Sequence, residues 1–294
     1  MTSSSLHGVL VALATPFTPD GAVDEARLRQ VVDRTIDGGV HGVVACGSTG
    51  EFAALTDAER RLVVETVIDQ TAGRVPVVAQ TGSTSTATAI ELTRHAEAAG
   101  ADVVMPVAPF YEALSIDETV RYLSRVASSV SVPVMVYNLP AATGVNLEPD
   151  TIAKLATNVE NIRYVKNTVP DMAQSTQLIT HYGDLLGTFV GWDSLILASL
   201  ATGAAGVMTG TANIVPAEIV AVYDAVQARD LDLAREHWAR IYPLLDATLQ
   251  VNFVGAVKLA MEAVGFPVGD PREPFLPLGG EEAQHIRALA STFR

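Results

Sequence analysis

One lysine lies in a segment that is typical of a β-strand, and its position suggests chemistry. Lys166, in IRYVKNT, is one of only three lysines in the 294-residue chain. Strand alternation places it on the same face as Ile162, Tyr164 and Thr168. If that face points into an apolar interior, the loss of hydration disfavours the charged ammonium, and a neutral lysine amine is the nucleophile that forms Schiff bases with carbonyl compounds. The alternative is an outward-facing lysine paired with a helix carboxylate.

Tyr137 ends another predicted strand, in VPVMVYN, and shares a face with Met135. A phenol at a strand end can transfer protons during Schiff-base formation. The alternative is an aromatic side chain that only closes one end of the core.

A turn with anion-binding potential follows the second predicted strand. Its sequence is Gly47-Ser48-Thr49-Gly50-Glu51, in which two glycines permit a tight turn with exposed amides and two hydroxyls add donors. Successive backbone amides of this kind form concavities that bind anions. Glycine–hydroxyl turns are common, so the turn alone is equally compatible with an ordinary connection.

The elements that must position these residues alternate along the chain. Short β-branched runs separate longer amphipathic segments, and their nearly continuous hydrophobicity is typical of strands in a parallel sheet. The predicted strands span residues 9–15, 42–47, 75–81, 101–107, 132–138, 162–168, 186–192 and 205–213. The helix starts include two possible capping boxes, Thr56…Glu59 and Ser115…Glu118, and Pro216 in a first turn.

Eight strand–helix units predict a (β/α)8 barrel, a TIM barrel, over residues 1–225. An open doubly wound sheet is less favoured, because the count reaches eight and no GxGxxG follows the first strand. Residues 226–294 lack strand patterns and predict a C-terminal helical region packed on the barrel. In such a barrel the active site lies at the carboxyl ends of the strands, which is where Lys166 and Tyr137 occur.

Composition excludes several classes of function. The formal net charge of −14 argues against nucleic acid or an anionic membrane as the main partner. One cysteine, no basic-flanked leader and no apolar run long enough to span a membrane predict a soluble, cytoplasmic protein. The six histidines are scattered without the spacing of metal ligands, so we expect no metal.

Taken together, the motifs resemble those of the dihydrodipicolinate synthase / N-acetylneuraminate lyase family of class I aldolases. The resemblance covers nearly the whole chain and has five motifs in order: ATPF, GSTGE, APFY, YNLPAATG and YVKNT. It implies a (β/α)8 barrel with C-terminal helices, a homotetramer built from dimers, and a covalent lysine imine with no metal or organic cofactor.

The resemblance also implies roles for individual residues. Lys166 matches the lysine that attacks the ketone of pyruvate or another 2-keto acid, and Tyr137 matches the tyrosine that relays protons. Ser48 matches the hydroxyl that connects this tyrosine to a second one, which corresponds to Tyr111 and is lent across a dimer interface.

Further residues are expected to bind substrate. Thr49 matches a carboxylate-binding hydroxyl. The other residues expected to bind substrate are Gly47 in the turn, Met208 and Gly210 in the region of the eighth strand, Thr168 two positions after Lys166, and Trp192 near the tail of the substrate.

One position departs from the pattern of dihydrodipicolinate synthases. Ala142 occupies the place where those enzymes typically have an arginine that grips the carboxylate of the aldehyde partner, and alanine cannot make that contact. The expected function is therefore reversible cleavage of a 2-keto-3-deoxy sugar acid to pyruvate and an aldehyde. The alternatives are a keto-deoxy acid dehydratase, dihydrodipicolinate synthase itself, and a non-catalytic keto-acid binding protein.

Overall fold

The fold is a closed barrel of eight parallel strands that follow one another in chain order. It is seen in a computed structural model that describes residues 6–294. The strands are β1 Gly8–Ala12, β2 Gly42–Ala45, β3 Val77–Gln80, β4 Val103–Met105, β5 Val134–Asn138, β6 Ile162–Asn167, β7 Gly187–Val190 and β8 Gly206–Thr209. The predicted TIM barrel is confirmed, and the open doubly wound sheet is wrong. Each strand is shorter than its apolar run, because the last residues of most runs already belong to the loops that follow.

Helices alternate with the strands, and three more follow the last strand–helix unit. They are α1 Glu25–Asp37, α2 Asp57–Thr71, α3 Thr86–Ala99, α4 Ile116–Ala127, α5 Pro140–Thr143, α6 Pro149–Asn158, α7 Met172–Tyr182, α8 Ile196–Thr202, α9 Pro216–Gln227, α10 Leu231–Leu249, α11 Phe253–Ala263 and α12 Gly280–Ser291. No helix in residues 6–294 is long and apolar enough to cross a membrane.

Local sequence explains where several helices begin. Both predicted capping boxes are present, with the side chains of Thr56 and Ser115 accepting the amides of Glu59 and Glu118 and the two glutamates bonding back. Such caps satisfy amide groups that a helix leaves unpaired at its first turn. Pro216 lies in the first turn of α9, where its missing amide is not needed.

The chain divides into two compact units. One contains Pro76–Met208 and a short N-terminal piece that ends at Gly8, and the other contains Val9–Val75 and Thr209–Arg294. The first unit holds β3 to β7 and most of β8. The second holds most of β1, all of β2 and the C-terminal helices. The predicted division of the sequence into a barrel and a helical region at residue 225 stays a prediction.

A buried ion pair connects two distant segments of the second unit. Lys258 of α11 lies 2.6 Å from a carboxylate oxygen of Glu51, and both side chains are almost completely inaccessible. Lys258 also donates to the carbonyl of Asp270, and the other oxygen of Glu51 accepts the amide of Arg272. Burial lowers the pKa of Lys258, and the charge of Glu51 opposes this shift. The pair therefore joins α11 to the residue that ends the turn after β2.

The Arg272 side chain extends the same connection. Its guanidinium forms two hydrogen bonds with the carboxylate of Glu59 and one with the carbonyl of Ala54. These bonds hold the pKa of Glu59 at about 2, well below its usual value. Removing one partner of such a pair leaves the other charge largely buried and unpaired, which is destabilising.

We predict that Lys258→Met lowers the free energy of unfolding by about 3–5 kcal/mol, because it leaves the Glu51 carboxylate buried and unpaired. Denaturant unfolding of purified protein measures this change. Arg287→Met is the matched control, because the Arg287–Glu262 pair is half-exposed and its loss should change stability by less than about 1 kcal/mol. Adding Glu51→Gln to Lys258→Met should recover part of the loss. Equal effects of Lys258→Met and Arg287→Met would contradict this account.

Candidate active site

Lys166 and Tyr137 lie side by side at the carboxyl ends of two paired strands. The parallel register of β5 and β6 pairs Tyr137 with Lys166 and Asn138 with Asn167. The lysine side chain is 4% exposed and the tyrosine 2%. The Nζ atom of Lys166 lies 4.1 Å from the centre of the Tyr137 ring. A cation or amine above an aromatic face is attracted by the ring quadrupole, so this contact orients the amine.

The opposite face of both strands is turned toward the helices. The side-chain amide of Asn167 donates to the hydroxyl of Ser175 in α7 at 3.1 Å. Because successive strand residues point to opposite faces, Lys166 and Tyr137 point into the barrel. The alternative of an outward-facing lysine is therefore wrong. Within residues 6–294, no ion pair involves Lys166, whereas Lys258 has Glu51 as a partner.

Gly191 provides the space that the Lys166 side chain occupies. It directly follows β7, and its amide donates to the carbonyl of Asn167 at 2.9 Å. A Cβ atom at this position would lie 2.6 Å from Cε and 3.3 Å from Cγ of Lys166. Real Cβ atoms do not approach other atoms this closely, so only glycine leaves the lysine undisturbed. Sequence reasoning missed Gly191, although a glycine that ends a strand is a known signal of close approach.

Thr168 and Trp192 lie next to this contact. Thr168 is buried, its Oγ1 has no hydrogen-bond partner in the part of the chain that the structure describes, and this oxygen also borders Gly191. A buried hydroxyl without a partner is unfavourable unless a ligand or water satisfies it. Trp192 is half-buried and precedes the short turn that leads into α8.

The Gly47–Glu51 turn belongs to the second unit and is closed by its own hydrogen bonds. The amide of Gly50 donates to the carbonyl of Gly47, and that of Glu51 to the carbonyl of Ser48, both at 3.0 Å. These two amides are therefore not the donors that an anion would use. Ser48, which is half-buried, and Thr49, which is buried, are the remaining candidates, through their backbone amides and their hydroxyls.

Gly210 lies against the same turn. A Cβ atom at Gly210 would lie 2.7 Å from Oγ1 of Thr49 and 2.6 Å from the ring of Phe253. The structure thus brings together Thr49 and Gly210, two residues that the sequence analysis had related only through the family resemblance. Glu51, held by Lys258, has a left-handed backbone with φ 58° at the end of the turn.

The other predicted site residues have separate positions in the first unit. Met208 is a buried residue of β8, and Ala142 is an exposed residue of the short helix α5. Tyr111 lies in the loop after β4, and its side chain is 86% exposed in the single chain. Such exposure is unusual for a tyrosine, which buries its ring when a partner surface is available.

No metal centre is visible in the described residues. No three His, Cys, Asp or Glu side chains among residues 6–294 lie close enough together to hold a metal ion.

A parallel eight-stranded barrel with a buried lysine above a tyrosine ring, at the carboxyl ends of neighbouring strands, is the arrangement of a lysine-dependent barrel enzyme. Residues 5–293 match the profile of the Dihydrodipicolinate synthetase family, and the chain belongs to this family. Enzymes of the family form a lysine Schiff base with pyruvate, act as carbon–carbon lyases, and need no metal or organic cofactor.

Relatives with assigned names support this membership. The chain is 40% identical over 270 residues to the 4-hydroxy-tetrahydrodipicolinate synthase of Methanopyrus kandleri, which covers 92% of this chain and 90% of the relative. It is 38% identical over 286 residues to the enzyme of the same name from Pelobacter propionicus, covering 97% and 98% of the two chains.

Solved structures give the same result for the fold. The dihydrodipicolinate synthase of Aquifex aeolicus superposes with a TM-score of 0.93 at 31% identity, covering 98% of each chain. The prophage protein YagE of E. coli K12, a member of the dihydrodipicolinic acid synthase family solved in complex with pyruvate, superposes with a TM-score of 0.94 at 30% identity over 99% of each chain.

We predict that Gly191→Ala slows imine formation with pyruvate by about tenfold or more, because the new methyl group displaces Cε of Lys166 and small misplacements of a reacting group are costly. Borohydride trapping at fixed times measures the rate. Gly279→Ala is the matched control, since a Cβ at Gly279 meets nothing within 4 Å. A folded Gly191→Ala variant that traps pyruvate at the original rate would show that Lys166 does not need this space.

Proposed function

We propose that this protein cleaves a 2-keto-3-deoxy sugar acid reversibly to pyruvate and an aldehyde, through an imine on Lys166. Membership of the family supports the pyruvate-dependent lyase chemistry. The observation that carries the assignment to Lys166 is its buried amine, held 4.1 Å from the Tyr137 ring in a barrel interior. A lysine amine that no carboxylate holds in an ion pair is available as a nucleophile toward a carbonyl carbon.

The chemistry balances without a cofactor. The Lys166 amine attacks the C2 ketone of the keto acid, and loss of water gives a protonated imine. The C4 hydroxyl then loses its proton, the C3–C4 bond breaks, and its electron pair passes into the imine to give an enamine. The C4 fragment leaves as an aldehyde. Protonation of the enamine at C3 and hydrolysis of the imine release pyruvate and restore the lysine.

The remaining site residues take their proposed roles from the family pattern. Tyr137 carries protons to and from the reacting atoms, and Ser48 connects it to Tyr111 of a second copy of the chain. Thr49 and Gly47 bind the carboxylate of the keto acid.

Other residues would define the pocket. Met208 and Gly210 line it on the side of β8. Thr168 offers its unpartnered buried hydroxyl to a polar group of the substrate, and Trp192 lies toward the distal end of the substrate chain.

The choice of a sugar acid as substrate rests on Ala142. Its exposed methyl group on α5 offers no donor to the carboxylate of an aldehyde partner such as the one that dihydrodipicolinate synthases use. A neutral polyol aldehyde has no carboxylate and needs no such arginine. Dehydration of a related keto-deoxy acid would use the same imine with a different leaving group.

The second candidate function is 4-hydroxy-tetrahydrodipicolinate synthase, because the relatives described above carry that name. A non-catalytic keto-acid binding protein is the candidate of another class, and any measurable turnover rejects it. Enzymes of the family bind pyruvate and an aldehyde and are typically oligomeric. The exposed Tyr111 favours an assembly in which a partner covers it. The homotetramer and the cytoplasmic location remain predictions.

We predict that pyruvate and borohydride together fix a covalent adduct on Lys166, which peptide mass spectrometry locates. Lys166→Ala should abolish the adduct. Lys154→Ala is the control, because Lys154 is an exposed lysine of α6 and its removal should leave trapping unchanged. An adduct on another lysine, or none with the folded wild-type protein, would reject Lys166 as the imine-forming residue.

We predict that Ala142→Arg leaves pyruvate trapping unchanged and lowers cleavage of 2-keto-3-deoxy sugar acids, because the position serves the second substrate. Coupled detection of released pyruvate measures cleavage, and condensation of pyruvate with aspartate 4-semialdehyde measures the alternative activity. Ala141→Arg is the matched control, because it places the same charge on the exposed neighbouring residue. A wild-type protein that condenses the semialdehyde faster than it cleaves any sugar acid would favour the second candidate.

A further inference from the structure

Four amide side chains form a hydrogen-bonded cluster on the helix side of β5 and β6. The amide cluster consists of Asn138, Asn146, Asn167 and Gln174, and all four lie in the first compact unit. Asn138, Asn167 and Gln174 are buried, and Asn146 is half-buried. Their number and burial are unusual, because amides are mostly exposed and are buried only when their donors and acceptors are satisfied.

Asn138 is the centre of the cluster. Its Nδ2 donates to Oδ1 of Asn167 and to Oδ1 of Asn146, both at 2.9 Å. Its Oδ1 accepts the backbone amide of Leu147 at 3.0 Å. One side chain therefore joins the end of β5 to the end of β6 and to the loop before α6.

Asn167 and Gln174 connect the same strands to α7. Nδ2 of Asn167 donates to the hydroxyl of Ser175 at 3.1 Å. Nε2 of Gln174 donates to Oδ1 of Asn146 at 3.2 Å and to the carbonyl of Leu147 at 3.1 Å. The cluster thus fixes two strand ends, one loop and one helix relative to each other.

The two central amides are the direct neighbours of the two residues that face the barrel interior. Asn138 follows Tyr137, Asn167 follows Lys166, and the strand register pairs both sets across β5 and β6. A peptide unit is rigid, so a bond that fixes the side chains on one face restricts the backbone that carries those on the other. The Asn138–Asn167 bond therefore limits how far Lys166 can move relative to Tyr137.

We propose that Asn138 and Asn167 are positioning residues for imine formation, acting through the spacing of Lys166 and Tyr137. They touch neither of the reacting atoms, and their effect passes through the backbone. This inference rests on the proposed function of Lys166. A fully satisfied buried network is rigid and specifies one geometry, whereas a partly satisfied network loses both properties.

The test compares Asn138→Leu, Asn167→Leu and the double variant in the full-length protein. The rate constant of borohydride-trapped imine formation is measured over a range of pyruvate concentrations. Each single variant should lower the limiting rate by about 10- to 100-fold, because misplacement of a reacting group by about 1 Å has this effect. The pyruvate concentration at half-saturation should change by less than about threefold, because the groups proposed to bind the carboxylate lie elsewhere.

The double variant tests whether the two amides act through their shared bond. If they do, the double variant should be about as slow as the slower single variant, since either substitution alone already breaks the shared bond. Losses that multiply would show that each residue acts independently and would overturn the proposed mechanism.

Asn161→Leu is the matched control for a structural effect. Asn161 lies one residue before β6, and its Nδ2 donates to the carbonyls of Ala127 and Val130 at 2.9 and 3.0 Å. Its loss should destabilise the protein comparably but leave the imine rate of the folded enzyme unchanged. If a leucine variant does not fold, Asn167→Ser replaces it, because serine is too short to reach Asn138.

The possible failures are distinguishable. A wild-type protein that forms no trapped adduct rejects the proposed function. A wild-type protein that traps pyruvate, together with folded Asn138 and Asn167 variants that do so at the same rate, rejects the positioning role alone. Slow imine formation in Asn161→Leu would show that general destabilisation causes the effect, and would also reject the positioning role.

Discussion

The structure depends on keeping an amine buried without a carboxylate beside it. Removal of an ammonium from water is costly unless a partner compensates. The ring face of Tyr137 supplies an oriented but weak attraction, which holds the amine in place. An ion pair at the same position would hold the amine against a carboxylate and away from a carbonyl carbon.

The second buried lysine shows what such an ion pair does. Lys258 is as inaccessible as Lys166, but it lies 2.6 Å from Glu51 and donates to a backbone carbonyl. Its contacts explain a structural role, because they attach α11 to the end of the Gly47–Glu51 turn. Burial alone therefore does not identify a reactive lysine. The difference between the two residues is the partner, and the partner follows from the tertiary structure.

This difference also explains how much could be predicted from the sequence. Strand order, the barrel and both capping boxes follow from local patterns, and strand alternation correctly placed Lys166 on one face of β6. Gly191 could not be assigned a role, because its contact with Lys166 depends on the pairing of β6 with β7. The resemblance suggested a carboxylate-binding turn, but only the coordinates show that two of its amides bond within the turn.

The amide cluster was missed for a related reason. Asn138, Asn146, Asn167 and Gln174 are spread over 37 positions of the sequence, and no spacing rule connects them. Each residue alone is typical of a turn or an exposed surface. They come together because the parallel register aligns two strand ends, and because α6 and α7 begin close to those ends. Hydrogen-bond partners of this kind are a consequence of the fold and cannot be predicted from the sequence alone.

The side chains that we propose to react lie on the inner face of β5 and β6, and those that we propose to position them lie on the outer face. In the proposed function Lys166 on the inner face forms the imine and Tyr137 relays protons, and in the further inference the neighbouring asparagines on the outer face fix their spacing. In this proposal neither pair contacts the part of the substrate beyond the keto acid. We expect the connections after the strands to contact that part, and these connections include Ala142 on α5 and Trp192 after β7. Loops vary more freely than strands, because fewer buried contacts constrain them. Under the proposed function, a barrel of this kind keeps its imine chemistry while a single residue on a four-residue helix changes the aldehyde it accepts.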